Sequence, residues 1–225
     1  MPLSMRSFVW IVPIVSVFTA VPACATTILY TNRLAWEAAS TGLATIDFEG
    51  PATPGSPVND STAAGLTISG IQFIGVTPPD NYYLFVQDYG ATWGSGDLLE
   101  GPNSIWIPAA GAYIEARLPA GVTAVGADLM SRLPVADTFV VSLSTGESFT
   151  VATSANPNRA FVGFTSDVPI TSIRFHPGAS YALLDNFSYG SAVQAAEVPE
   201  ADTMILGCTG LFGLLIARRL RRWAP

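Results

Sequence analysis

The sequence predicts an all-β domain, an antiparallel β-sandwich of jelly-roll type with one short helix at its start. Three observations predict it. From residue 44 onward, short runs of β-branched and aromatic residues follow one another, each bounded by Gly, Pro, Asn or Asp. They recur at intervals of roughly 8–15 residues, the spacing of an all-β fold. Past residue 40, no segment with helical period interrupts them before the C-terminal end.

Taken in chain order, residues 1–25 have the layout of a secretory signal peptide. Arg6 provides a positive charge, Phe8 to Val21 form an apolar stretch broken at Pro13, and Ala23-Cys24-Ala25 is a small-x-small cleavage signal. Cleavage after Ala25 makes Thr26 the first mature residue. Acylation at Cys24 and retention of the segment as a membrane helix are the competing readings. Thr31 to Ala39 (TNRLAWEAA) predicts a short helix, with Thr31 or Asn32 as its cap and Gly42 closing it.

The predicted strands are 44–49, 66–76, 82–88, 112–118, 122–130, 138–143, 147–152, 160–165, 170–176 and 182–189. Residues 112–118 (AYIEARL) alternate by two, as a half-buried strand does. Ser144-Thr145-Gly146 reads as a hairpin turn. Two stretches read as loops: 50–65, rich in Pro, Gly and Ser, and 89–104, rich in Gly and bearing Trp93. The sandwich domain is assigned to 26–190 and a small-residue linker to 191–202.

Thr203 to Ala217 is an uncharged run of 15 residues. As a helix it would measure roughly 22 Å, against a hydrocarbon core of about 30 Å. It predicts a short transmembrane helix over 203–217, workable if its flanking arginines snorkel. Arg218, Arg219, Arg221 and Arg222 then form a basic cytoplasmic tail over 218–225. The order of leader, domain, Val198-Pro199-Glu200, apolar helix and Arg cluster resembles bacterial PEP-CTERM proteins. That resemblance implies sorting and cleavage near the Pro-Glu pair by an exosortase-type membrane protease. It also implies an exported, envelope-anchored protein associated with extracellular polysaccharide and biofilm matrix. The family's second proline is replaced here by Ala201-Asp202. A generic tail anchor is the alternative reading of the same run.

Composition narrows the function. The chain has no lysine, and residues 26–197 carry five arginines against fifteen carboxylates, a formal charge of −10. Such a surface repels nucleic acid, so no nucleic-acid partner is expected. Both cysteines, Cys24 and Cys208, lie in the targeting segments, so the domain is built without disulfides or zinc-thiolate sites.

Three constellations could carry chemistry. Asp47 and Glu49 alternate with Ile46 and Phe48, and a late Leu184-Asp185-Asn186-Phe187 puts Asp185 on the strand face of Leu183, Phe187 and Tyr189. A carboxylate among apolar groups must be paired or metal-bound. Hard oxygens at a sandwich rim are what Ca²⁺ uses. An early Asp-Phe-Glu and a late Leu-Asp-Asn-Phe resemble the first and last strands of extracellular jelly rolls, including carbohydrate-binding modules. That resemblance implies a structural Ca²⁺ on Glu49 and Asp185, with Asp47 and Asn186 behind them. The plainer alternative leaves Asp47 in solvent and pairs Asp185 with Arg174 or uses it to cap a turn.

The second constellation is aromatic. Tyr82, Tyr83, Tyr89, Trp93 and Trp106 surround the glycine-rich loop, where exposed rings, Trp93 foremost, could stack on sugar faces. The third is hydrolytic. His176 is the single histidine and could join Asp185 in a Ser-His-Asp triad, and a pair of carboxylates could serve a glycosidase. No Gly-x-Ser-x-Gly elbow, phosphate loop, HExxH or EF-hand sequence is present. The reading that best fits is a non-catalytic binding or structural protein of the extracellular matrix. The alternative is a secreted glycan-active hydrolase using two carboxylates.

Overall fold

The structure, a computed structural model, describes residues 25–53, 56–78, 81–88, 97–103, 111–132, 134–155, 157–178 and 181–193. The predicted membrane helix, the sorting motif at 198–200, the arginine cluster and Ala23 lie outside these residues. Among the described residues, no helix is long and apolar enough to cross a membrane.

The chain runs β1 (Thr27–Tyr30), α1 (Arg33–Ala38), β2 (Ser40–Ile46), β3 (Val58–Asp60), β4 (Leu66–Ile68), β5 (Ile71–Thr77), β6 (Asn81–Tyr82), β7 (Leu84–Asp88) and β8 (Asp97–Asn103). It continues through β9 (Tyr113–Arg117), β10 (Ala124–Ser131), β11 (Thr138–Leu143), β12 (Ser148–Ala152), β13 (Ser154–Ala155), β14 (Ala160–Ser166), β15 (Ser172–Pro177) and β16 (Tyr181–Ala192). The strands form two sheets. One has the order β1-β14-β10-β16-β8-β7-β3, with β2 beside β16 and β13 beside β10. The other has the order β12-β11-β15-β9-β5-β4, with β6 beside β5. All pairings are antiparallel except the short β10–β13 contact. The predicted all-β sandwich is therefore present.

Alternation decides which side of each sheet is core. Ile114 and Ala116 of β9, Ile173 and Phe175 of β15, and Phe139 and Val141 of β11 are buried in one cluster with Val125, Ala127 and Leu129 of β10. At its centre Phe73 meets Phe48 and Phe187 edge-on, with ring centroids 5.4 and 5.2 Å apart. Helix α1 lies on the opposite, outer side of the larger sheet. Asn32 caps it by accepting from the Ala35 N–H at 3.0 Å. Trp36 anchors it, fully buried and donating from Nε1 to the Phe164 carbonyl at 3.1 Å. Gly163 makes room for that ring, since a Cβ there would stand 2.7 Å from Trp36 Cγ.

Several elements differ from the sequence reading for physical reasons. The run at 66–76 is a hairpin, turned at Ser69 and Gly70, both with positive φ (49° and 83°). The predicted strand 44–49 ends at Ile46, because Phe48 turns to φ 58° to deliver its ring to the core. Strand β8 lies inside the stretch read as a glycine-rich loop. It forms because β7 and β16 flank it: Leu99 pairs with Val86 on one side and Leu184 on the other. Strand β3 likewise sits within the Pro/Gly/Ser segment and pairs with β7. Strand β16 runs past the expected domain limit to Ala192, held by Ser40 and Thr41 of β2.

Candidate functional site

Two polar arrangements stand out, one on the outer face of each sheet. The first contains the predicted late Asp-Asn pair. Opposite each other on β10 and β16, the pairs Gly126–Ser188 and Asp128–Asp185 leave one residue between them on β10 and two on β16. This is a bulge, and Asn186 absorbs it with φ 46°. The bulge shifts the strand's phase. Leu184 and Phe187 face the core, whereas Asp185 faces outward with Asp128. The expectation that Asp185 shares a face with Phe187 and Tyr189 is thereby corrected.

Asp185 is 3% exposed and ion-paired with Arg159. It also accepts from the Asn186 backbone N–H at 2.7 Å and from Asn186 Nδ2 at 3.2 Å. Asn186 Nδ2 reaches across to Asp128 at 2.9 Å, and Arg33 closes the group on Asp128 at 3.0 Å. Arg33 also stacks over the Phe161 ring, 4.4 Å from its centroid. Burial pushes the Asp185 carboxyl up to about 6, against the pull of Arg159 and the Asn186 N–H.

The four residues expected to hold Ca²⁺ come only partly together. Glu49 is near enough for its charge to raise the Asp185 pKa, but it is exposed. Asp47 turns its carboxylate back to accept from the Glu49 N–H at 3.2 Å. Among the described residues, no three acidic or metal-ligating side chains form a metal-holding group. Two guanidinium groups stand where a cation's charge would be needed. As placed, the residues do not fit a resident ion.

The second arrangement lies on the outer face of β5, β9 and β15. Cross-strand register builds it row by row. Tyr82 of β6 and Tyr113 of β9 both pair with Val76 of β5, so Tyr82, Val76 and Tyr113 form one outward row. His176 extends that row, with its ring 5.2 Å from that of Tyr113. The next row holds Ile74, Glu115 and Arg174, and the one after it Gln72 and Arg117. Tyr82, Tyr113, Glu115, Arg117 and Arg174 line a groove of about 380 Å³ with Ile74 at its floor.

Glu115 is clamped from both sides. Arg117 donates from Nε at 2.9 Å and Arg174 from Nε at 2.6 Å, while Arg117 also reaches Gln72 at 3.2 Å. Burial pushes the Glu115 carboxyl up, but the two arginines outweigh it and hold it below its ordinary value. The Arg174 guanidinium lies 4.8 Å from the centre of the Tyr113 ring. Thus Arg174 serves Glu115 on the smaller sheet and does not pair with Asp185.

His176 belongs to this face, opposite in the sandwich to Asp185, so the two do not form a triad. Burial, helped by the Arg174 charge, holds its pKa below the ordinary histidine value. Tyr89, Trp93 and Trp106 lie outside the described residues, and Tyr83 packs edge-on against Phe85, 4.2 Å between centroids, outside the groove lining. Of the predicted aromatic residues, Tyr82 is the one placed in a groove. Its partners Tyr113, Glu115, Arg117 and Arg174 were not singled out as a site from sequence. The alternation at 112–118 put Tyr113, Glu115 and Arg117 on one face, but only the β9–β15 pairing adds Arg174.

No family model matches the chain, and no curated protein matches it. Among solved structures, it is similar to the carbohydrate-binding module TmCBM61 in complex with beta-1,4-galactotriose. The identity is 12%, the match spans 61% of this chain and 89% of that one, and the TM-score is 0.19. At that TM-score the likeness says nothing about what this chain binds.

Proposed function

We propose that this protein is an exported β-sandwich that binds, or forms part of, extracellular polysaccharide without turning it over. One observation carries the reading: the open groove of the smaller sheet. It combines two half-buried tyrosines with charged hydrogen-bonding groups on rigid strands. Aromatic faces beside fixed polar groups are the ordinary chemistry of carbohydrate recognition.

A hydrolase reading would rest on the opposed carboxylates of Asp128 and Asp185, one with a raised pKa. Burial speaks against it. Asp185 is 3% exposed and ion-paired, so a glycosidic oxygen has no approach to its proton.

In the same proposal the termini are addresses. The leader directs export, and the tail from Val198 onward is handed to an exosortase-type protease, with membrane attachment through 203–217 before processing. Residue layout supports the leader and the apolar run, and the PEP-CTERM resemblance supports the exosortase step.

The test uses the full-length chain in detergent. It is incubated with polysaccharides, and both retained protein and newly released reducing ends are measured. Retention without reducing ends is the expected result. Steady release of reducing ends would replace this reading with the hydrolase. Intact mass of the protein recovered from its producing cells reads the tail: loss of the segment after Pro199-Glu200 is expected, and a C-terminus still carrying Trp223 would oppose processing.

A further inference from the structure

We infer that the groove of the smaller sheet recognises a carboxylate-bearing sugar, a uronate unit of an acidic glycan. Arg174 and Arg117 would hold its carboxylate while Tyr113 and Tyr82 support its ring. The inference rests on the glycan-binding reading above and names the chemistry of its site.

Charge is the first argument. Residues 26–197 carry a formal −10, yet among the described residues this groove is locally positive. Among the described residues its charged lining is Glu115, Arg117 and Arg174, a sum of +1. One arginine would neutralise Glu115. Two of the domain's five arginines converge there, which leaves an excess cation on a surface that otherwise repels anions.

Hydrogen bonding is the second. Glu115 takes the Nε of each arginine. Arg117 spends Nη1 on Gln72, while among the described residues the Nη groups of Arg174 meet no protein acceptor. Both side chains remain about half exposed, at 55% and 47%. Glu115 thereby fixes both planar forks and leaves donor edges for a further acceptor. A planar carboxylate matches such a fork in two-bond fashion.

Shape is the third. Tyr82, Val76, Tyr113 and His176 form a row across four strands. At about 4.8 Å per strand the row spans roughly 14 Å. Tyr113, inside the row, adjoins the Arg174 guanidinium, so one sugar ring could rest on the row with its carboxylate over Arg174.

The test measures affinity of the full-length chain in detergent for short oligomers of galacturonate, glucuronate and mannuronate. Each is compared with its carboxyl-reduced counterpart, which differs only at C6. At least one acidic oligomer is expected to bind tenfold or more tightly than its reduced form, and more weakly as salt rises. Tyr82→Ala and Arg174→Gln should each lower that affinity at least tenfold. Arg174→Lys, which keeps the charge but not the fork, should fall between. Thr150→Ala, on the far strand β12, should change nothing. Thermal melting of each variant identifies any that is unfolded, and Tyr82→Ala, at a short edge strand, keeps the test open if an arginine variant unfolds.

Equal affinity for acidic and reduced oligomers would overturn the inference while leaving glycan binding intact. So would binding that survives both substitutions in folded protein. Failure to bind any acidic or neutral glycan would remove both the inference and the reading beneath it.

Discussion

Asp128 and Asp185 stand directly opposite each other across β10 and β16, and each is neutralised by its own arginine: Arg33 at 3.0 Å for Asp128, Arg159 for Asp185. Like charges in register on neighbouring strands repel. Here the two guanidinium groups and the bridging Asn186 amide turn that repulsion into a closed network.

The network should respond non-additively to mutation. Asp185→Asn and Arg159→Gln are each expected to destabilise by about 2–3 kcal/mol, because each removes one side of an ion pair that is at least three-quarters buried. The double variant should cost clearly less than the sum. Urea unfolding of the four proteins measures the coupling, and additive losses would show that the pair is not an energetic unit.

The same geometry predicts the response to calcium. With Arg159 and Arg33 already balancing the carboxylates, the thermal midpoint in Ca²⁺ should equal that in chelator. An ion binding the native state at one hundred times its Kd would add about 2.7 kcal/mol. A rise of that size would mean that Ca²⁺ displaces Arg159 from Asp185.

Glu100 predicts a pH dependence. It is 1% exposed beside Arg132, 2.7 Å away, and burial pushes its carboxyl up from the model-compound value of 4.5 to about 7. A carboxyl whose folded pKa exceeds its unfolded one binds its proton more tightly when folded. Its contribution to stability is therefore full below about pH 4.5 and is lost as pH rises towards 7. Relative to Glu100→Gln, the wild-type protein should lose melting temperature across that window. Parallel curves for the two proteins would rule out this titration.

Gly163 should be intolerant of a side chain. Its Cβ would stand 2.7 Å from the buried Trp36 ring, which is fixed by its hydrogen bond to Phe164. Gly163→Ala is expected to cost about 1–3 kcal/mol through overpacking. Trp36→Leu should relieve part of that cost, and denaturant midpoints of both singles and the double would show it.

Much of the sandwich was legible because alternation is local. The pattern in 112–118 already places Ile114 and Ala116 against Tyr113, Glu115 and Arg117, and 138–143 is recovered residue for residue as β11. The candidate groove was less legible. Tyr82 could be named from its type, but nothing near it in sequence points to Arg174, 92 positions further on. Sheet register, not spacing along the chain, brings them together. Strand β8 was hidden for a related reason: a Gly- and Pro-containing segment extends only because neighbours on both sides supply its hydrogen bonds.

By itself, the sequence determined the all-β class, the short capped helix, the acidic thiol-free character of the domain and the expectation of targeting termini. Composition and period-two patterning are read one residue at a time and survive without a fold. Tertiary structure alone decided where the charges go. A single extra residue at Asn186 reversed the phase of β16, turned Asp185 out of the core, and set it against Asp128 and Arg159. Pairing of β9 with β15 placed Arg174 beside Glu115, opposite the Arg117 that β9 itself supplies. Such arrangements depend on bulges and register between distant strands, which local pattern does not carry.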